Sequence, residues 1–189
     1  MEIFEGKNGC RITFDRLETV VPVEEYVKIC VDISKFLGFC KECFNYGNRW
    51  SCPPFQTDPM EIWSQFETLR LIAYTLPNAS IPCVSVALDH LKQAKERMMA
   101  ELLELEHTIP GSYVLSAGTC VLCGDNCTRP AGKPCRNPEQ MRHSIEALGG
   151  DVSKTAEYYL NKPLLWIKDG ILPEYLMLVG GLLMKHREE

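Results

Sequence analysis

The chain has 189 residues, 46% of them hydrophobic, with a formal net charge of −5 and a pI near 5.5. That content suffices for a single domain over 1–189 with a core that needs no metal or disulfide merely to fold. The acidic balance argues against a nucleic-acid partner, whose phosphates call for a basic surface.

The first residues, MEIFEGKNGCRITF, show no basic start followed by an apolar run, so no secretory signal is expected. Arg11–Phe14 reads as a short strand. Pro22 then opens an amphipathic helix to about Leu37, with Tyr26, Val27, Cys30, Ile33 and Leu37 at helical spacing and Gly38 as its stop. A cysteine loop follows, from Cys40 to Pro54. A helix over Pro59–Leu69 is predicted, with Asp58 as N-cap and Pro59 first in the helix. Leu69–Leu76 reads as a buried strand, Asn78–Pro82 as a turn, and Cys83–Leu88 as a second strand. The longest helix is expected from Asp89 to His107, with Leu91, Ala94, Met98, Leu102 and Leu105 as its apolar stripe and Pro110–Gly111 as its end.

Ser112–Ala117 is a further strand candidate that runs into a second cysteine loop, Cys120–Cys135. Asn137, Pro138 and Gln140 resemble a capping box and predict a helix to Leu148. Asp151–Leu160 predicts another helix. Tyr175–Met184 predicts a last strand or hairpin arm, and Gly180 and Gly181 interrupt this longest apolar run, so no membrane span is expected. The fold class that follows is α+β, a small mixed sheet flanked by helices and carrying two cysteine-rich metal-binding loops.

Ten cysteines in a chain with no leader signal point to a cytoplasmic setting and to thiolate metal ligands rather than disulfides. The strongest group is Cys120, Cys123, Cys127 and Cys135, four thiolates within sixteen residues. Spacings of two and three residues let the backbone wrap one centre and offer N–H groups to its sulfurs. Gly118, Gly124 and Gly132 supply flexible dihedrals. Arg129, Lys133, Arg136 and the N-terminus of the predicted helix at Asn137 would favour negative charge there and raise the potential of a cluster. Four thiolates also satisfy tetrahedral zinc, but zinc sites usually present two CxxC pairs, which this group does not. The spacing therefore favours an iron–sulfur cluster of the 4Fe–4S type, with zinc as the alternative.

The first loop offers three thiolates, Cys40, Cys43 and Cys52, the last followed by Pro53 and Pro54, with Tyr46 and Trp50 as candidate shields. Three readings stay open. A fourth ligand comes from Cys10, Cys83 or a histidine; the site keeps an open position, as catalytic sites do; or the thiols pack without metal. Among the remaining residues, Cys30 reads as a small buried hydrophobe, Cys10 and Cys83 as packing residues, and Met98–Met99 as core. His90 and His107 read as cap or surface residues, and His143 and His186 as solvated. Arg142 and Glu146 stand i, i+4 and are expected to pair. No GxGxxG, P-loop or HExxH occurs.

The segments CKECFNYGNRWSCPP (Cys40–Pro54) and GTCVLCGDNCTRPAGKPCRNPEQMRHSIEALGGDV (Gly118–Val152) together resemble the domain-of-unknown-function family described as predicted metal-binding proteins, spread through anaerobic bacteria and methanogenic archaea. One departure is His143, where the family often has proline. The resemblance implies a metal-binding protein with iron–sulfur centres and implies no particular reaction. Three functions compete on these grounds: an electron carrier for a redox partner protein, an enzyme with an open centre at Cys40, Cys43 and Cys52, and a zinc-stabilised interaction module. A homodimer through the apolar C-terminal strand is a further expectation.

Overall fold

The computed structural model of the chain describes residues 1–78 and 81–185. Ala79 and Ser80, within the expected turn, and His186 lie outside the described residues. The fold is α+β, as expected: a five-stranded sheet in the order β1-β2-β3-β5-β4 together with five α-helices among the described residues. The strands are β1 (Glu2–Glu5), β2 (Arg11–Pro22), β3 (Thr68–Pro77), β4 (Tyr113–Leu115) and β5 (Tyr175–Met184); the helices are α1 (Val23–Cys30), α2 (Ile33–Lys41), α3 (Pro59–Trp63), α4 (Val84–Thr108) and α5 (Val152–Leu160). Every strand pairing is antiparallel, so the expected mixture of directions reduces to one isolated parallel bridge between Ser116 and Ser144.

The centre of the sheet is β2–β3–β5. Ile72 of β3 faces Glu18 of β2 and Gly180 of β5. Nearly all of β3 and β5 is buried, because both faces of the sheet are covered. On one face Ile12, Phe14, Ile72, Tyr74, Leu178 and Leu182 pack against Ala94, Met98 and Leu102 of α4. On the other, Val21, Leu69, Leu71, Val179 and Leu183 meet Tyr26, Cys30, Trp63 and the buried side of α5. Gly180 explains how α4 lies so close to β5: a Cβ there would stand 3.0 Å from Leu102 Cδ1 and 3.0 Å from the Leu115 carbonyl. Cys30 is 2% exposed and belongs to the second of these cores, as read from sequence.

Several elements differ from expectation. The strand at Arg11 runs on to Pro22, because the continuation to Val21 pairs residue by residue with β3. The helix from Pro22 is two helices: Val31 leaves the helical conformation to bridge Gly150, and Asp32 restarts it by accepting from Lys35 N at 2.9 Å. Gly38 lies inside α2, not at its end. The strand expected at Cys83–Leu88 is the start of α4: the Val-rich run has strand propensity, but it is helical from Val84 and buries Ala87. The helix expected from Asn137 to Leu148 is one turn, then extended chain, then a 3₁₀ turn at Glu146–Leu148. The main chain there is used otherwise, since the His143 carbonyl accepts from Ser116 N at 2.8 Å. By contrast, Asp58 caps α3 through Met60 N, and Asp151 caps α5 through Lys154 N.

Two long irregular segments leave this frame. One follows α2 and carries the first cysteine group. The other leaves β4 at Ser116, carries the second group, and returns to the core at Ile145. No helix is long and apolar enough to cross a membrane among the described residues.

Candidate metal centre

The chain folds the second cysteine segment as a series of tight turns. Gly124 N donates to Val121 O at 3.1 Å and Asn126 N to Cys123 O at 3.0 Å, and a 3₁₀ turn over Arg129–Ala131 ends at Gly132. The result brings Cys120, Cys123, Cys127 and Cys135 to the wall of one small cavity, together with Trp50, Ser51, Asn137 and Met141. All ten cysteines are free. Among the described residues no group of three or more His, Cys, Asp or Glu side chains is arranged to hold a single metal ion.

Asn137 supplies two of the donors that reach the sulfurs of this wall: its side-chain amide stands 3.2 Å from Cys123 Sγ and its backbone N 3.4 Å from Cys135 Sγ. Sequence reasoning gave Asn137 a helix-capping role; the residue instead serves the sulfurs, and the helix end expected to point at them does not exist. The Cys120 thiol is pushed up by burial and by the neighbouring Cys123 and Cys135, against the pull of a Leu122 N–H and of Lys95. Thiols crowded in this way deprotonate readily only when a cation joins them.

The first group is built similarly. Cys43 N donates to Cys40 O at 3.0 Å, Tyr46 N to Cys43 O at 3.0 Å, and Gly47 N to Pro53 O at 2.8 Å, which folds the loop back on itself ahead of the cis Pro53–Pro54 peptide. Burial, then the proximity of Cys52 and Cys43, raises the pKa of Cys40. Neither distant cysteine joins them. Cys10 Sγ bonds to Lys7 O at 3.3 Å, and Cys83, exposed at the start of α4 rather than packed, bonds to Ser85 Oγ at 3.2 Å.

The two loops are locked to each other. Arg129 of the second loop donates to the carbonyls of Arg49, Cys52 and Pro54 in the first, and its guanidinium lies 5.3 Å from the Trp50 ring. Trp50 Nε1 donates in return to Lys133 O at 3.1 Å, and Arg49 donates to Gly124 O. Cys120 N donates to Ser51 Oγ at 3.1 Å, while Cys52 Sγ lies 3.2 Å from Thr119 Oγ1, so the two cysteine groups touch at these positions. Lys95 of α4 reaches this seam, donating to Thr119 O; burial lowers its pKa against the opposing charges of Glu146, Cys120 and Cys52. Trp50 shields the second group rather than the first, and Tyr46 turns toward Pro53 and Pro54. Reading the sequence placed neither Lys95 nor Arg49 here, and it expected Arg129 only as a nearby cation and Asn137 only as a helix cap, not as bonds to the other loop or to the sulfurs. A cation or amide one to four residues from a cysteine was the only available signal for three of them, and Lys95 carried none.

His143, expected to be solvated, is held by Tyr113, whose hydroxyl lies 2.5 Å from Nδ1, and by the edge of Phe55 with ring centroids 4.8 Å apart. Arg142 does not pair with Glu146. It makes a two-pronged bond to Glu106 of α4, with Nε 2.9 Å from Oε1 and Nη2 2.5 Å from Oε2. Glu106 also accepts from Val114 N at 2.7 Å, which ties α4, β4 and the returning loop together. Glu146 faces inward and has an oxygen with no hydrogen-bond partner among the described residues.

Neither the curated proteins nor the solved structures contain a match to this chain. A family model does match, over residues 26–184, and that span holds both cysteine loops, the whole of β3, α4 and β5, and every contact between the loops given above. The chain belongs to the DUF2284 family of predicted metal-binding proteins.

Proposed function

We propose that the chain is an iron–sulfur protein in which Cys120, Cys123, Cys127 and Cys135 hold a 4Fe–4S cluster that exchanges single electrons with a redox partner. One observation carries this reading: the four cysteines stand around a common cavity, with the amide groups of Asn137 directed at two of their sulfurs. The donor set fits the group. Four thiolates are the usual ligands of such a cluster, and N–H groups to the sulfurs are the protein's usual means of tuning it. A single zinc ion would need its four sulfurs about 2.3 Å from one point, and remains the alternative occupant of the same four thiolates.

When bound, the cluster supplies a reversible one-electron couple. The rest belongs to the chain. Trp50 and Met141 limit water at the sulfurs, Asn137 stabilises negative charge on Cys123 and Cys135, and Arg129 fixes the first loop against the second. A second reading concerns Cys40, Cys43 and Cys52. The proximity of Cys43 and Cys52 to Cys40, with Cys10 and Cys83 bonded elsewhere, favours a second centre whose fourth position is filled by a histidine or left for a non-protein ligand.

Iron, acid-labile sulfide and zinc are to be quantified in protein purified and kept without air. The expected result is about four iron and four sulfide per chain for one cluster, with absorbance near 400 nm that dithionite bleaches. Cys123→Ser is expected to remove that absorbance. Iron exceeding that ratio, and lost selectively in Cys43→Ser, would establish the second centre. About one zinc and no iron per chain would replace this reading with a zinc-stabilised module.

A further inference from the structure

A cavity of about 350 Å³ opens beside α4 and β5, well away in character from the sulfur-lined one. Its position follows from the topology. β4 has only three residues and covers β5 at Gly181–Leu183 alone, so the edge of Leu176–Val179 has no strand beside it among the described residues. The space that a longer β4 would fill is bounded instead by Leu91 of α4, Val152 of α5 and the irregular segment carrying Leu164 and Trp166. Its size lies at the lower end of the range for small-molecule pockets, about 300–1,000 Å³.

Glu146 is the one ionisable side chain in this lining. Its Oε2 is enclosed and has no hydrogen-bond partner among the described residues. Burial raises its pKa, against the opposing bonds from its own backbone and Ser144 and the charge of Lys95. A lone carboxyl in an apolar cavity is the usual form of a small-molecule site, with apolar walls for affinity and one polar group for orientation. The mouth points the same way: Leu88 is 49% and Trp166 60% exposed, and both border the opening. The walls around the carboxyl are otherwise apolar, so the matching ligand is neutral and carries one donor for this oxygen.

We propose that this cavity binds a small, neutral, apolar molecule that bears one N–H or O–H group, with Glu146 as the acceptor that selects it. The probe is N-phenyl-1-naphthylamine, a neutral fluorophore with a single N–H, titrated into the air-free protein. Its isosteric ether, 1-phenoxynaphthalene, which has no donor, serves as competitor.

The expected result is saturable binding of one amine per chain, with the ether displacing it about tenfold less well. Glu146→Leu is expected to abolish that preference. Leu88→Glu, at an exposed position that the fold tolerates, is expected to weaken both molecules by placing a charge at the mouth. Non-saturable fluorescence, a signal indifferent to Leu88→Glu, or an unchanged amine preference in Glu146→Leu would overturn the proposal. Should Glu146→Leu fail to fold, the wild-type amine-to-ether ratio and Leu88→Glu decide it. Iron and sulfide measured in the same samples separate failure here from failure of the iron–sulfur reading.

Discussion

The imidazole of His143 sits between Phe55, from the first cysteine segment, and Tyr113, from β4, and its surroundings leave no place for a second positive charge. Burial first, then the charges of Arg142 and Arg129, lowers its pKa from 6.5 to about 4. The folded state therefore holds fewer protons than the unfolded state between those values. The stability this contributes is complete above the unfolded pKa and is lost as pH falls toward about 4. At 1.36 kcal/mol per unit the loss is up to about 3 kcal/mol. Denaturant unfolding from pH 7 to 4 is expected to show that loss in the wild type and to show it blunted in His143→Gln. Equal pH slopes in the two proteins would contradict it. Asn137 acts at the same scale. In the proposed cluster its side-chain N–H would donate to a Cys123 thiolate, and such a charge-assisted bond contributes about 1.5 kcal/mol, or about 60 mV for one electron. Asn137→Leu is expected to lower the cluster's potential by about that amount while keeping its iron, as read in an anaerobic redox titration. Loss of iron instead would make Asn137 structural.

The junctions between elements decide where the loops leave the frame. Gly149 ends the 3₁₀ turn after the second loop with φ of +87°, and a Cβ there would lie 2.8 Å from Ile33 Cα at the start of α2. The left-handed backbone and the backbone contact both oppose a side chain, so Gly149→Ala is expected to cost roughly 2–4 kcal/mol. Gly124, with φ of +53° and open space around it, meets only the first of these penalties. Gly124→Ala is expected to cost about 1 kcal/mol, and the two thermal midpoints measured side by side test the difference. Junctions are also where the sequence proved hardest to read. Helix α5 and the buried runs of β3 and β5 are written in local signals, namely a cap and a continuous apolar stretch. The start of α4 and the fate of Asn137–Leu148 are not. Asn137, Pro138 and Gln140 carry a helix signal, but Arg142 is taken by Glu106 and the His143 carbonyl by Ser116. Both partners lie more than twenty residues away in the chain, so no local pattern announces them. That Cys120, Cys123, Cys127 and Cys135 come together was legible because their spacing is itself local. The union of the two loops was not, because Arg129, Trp50 and Lys95 reach across from other segments.

At the scale of the whole molecule, the frame and the loops are stabilised by different means. Two apolar cores cover the faces of β2–β3–β5, and none of the seven candidate ligands belongs to either of them. The loops are held by Arg129, Arg49, Trp50 and Ser51, each bonded to the opposite loop. A frame that buries its own apolar surface does not need the metal to persist. The loops, rich in turns and poor in apolar burial, are the segments expected to open first when the metal is withdrawn. Removing it with chelator and oxidant is therefore expected to leave the far-ultraviolet circular dichroism and a cooperative thermal transition in place. Limited proteolysis of that apoprotein is expected to cut within residues 42–58 and 118–141 and to spare α4 and the sheet. Arg129→Ala is expected to produce the same cuts with the metal still bound, because it severs three carbonyl contacts at once. Collapse of the whole circular dichroism signal on metal removal would show instead that the frame and the loops fold as one unit.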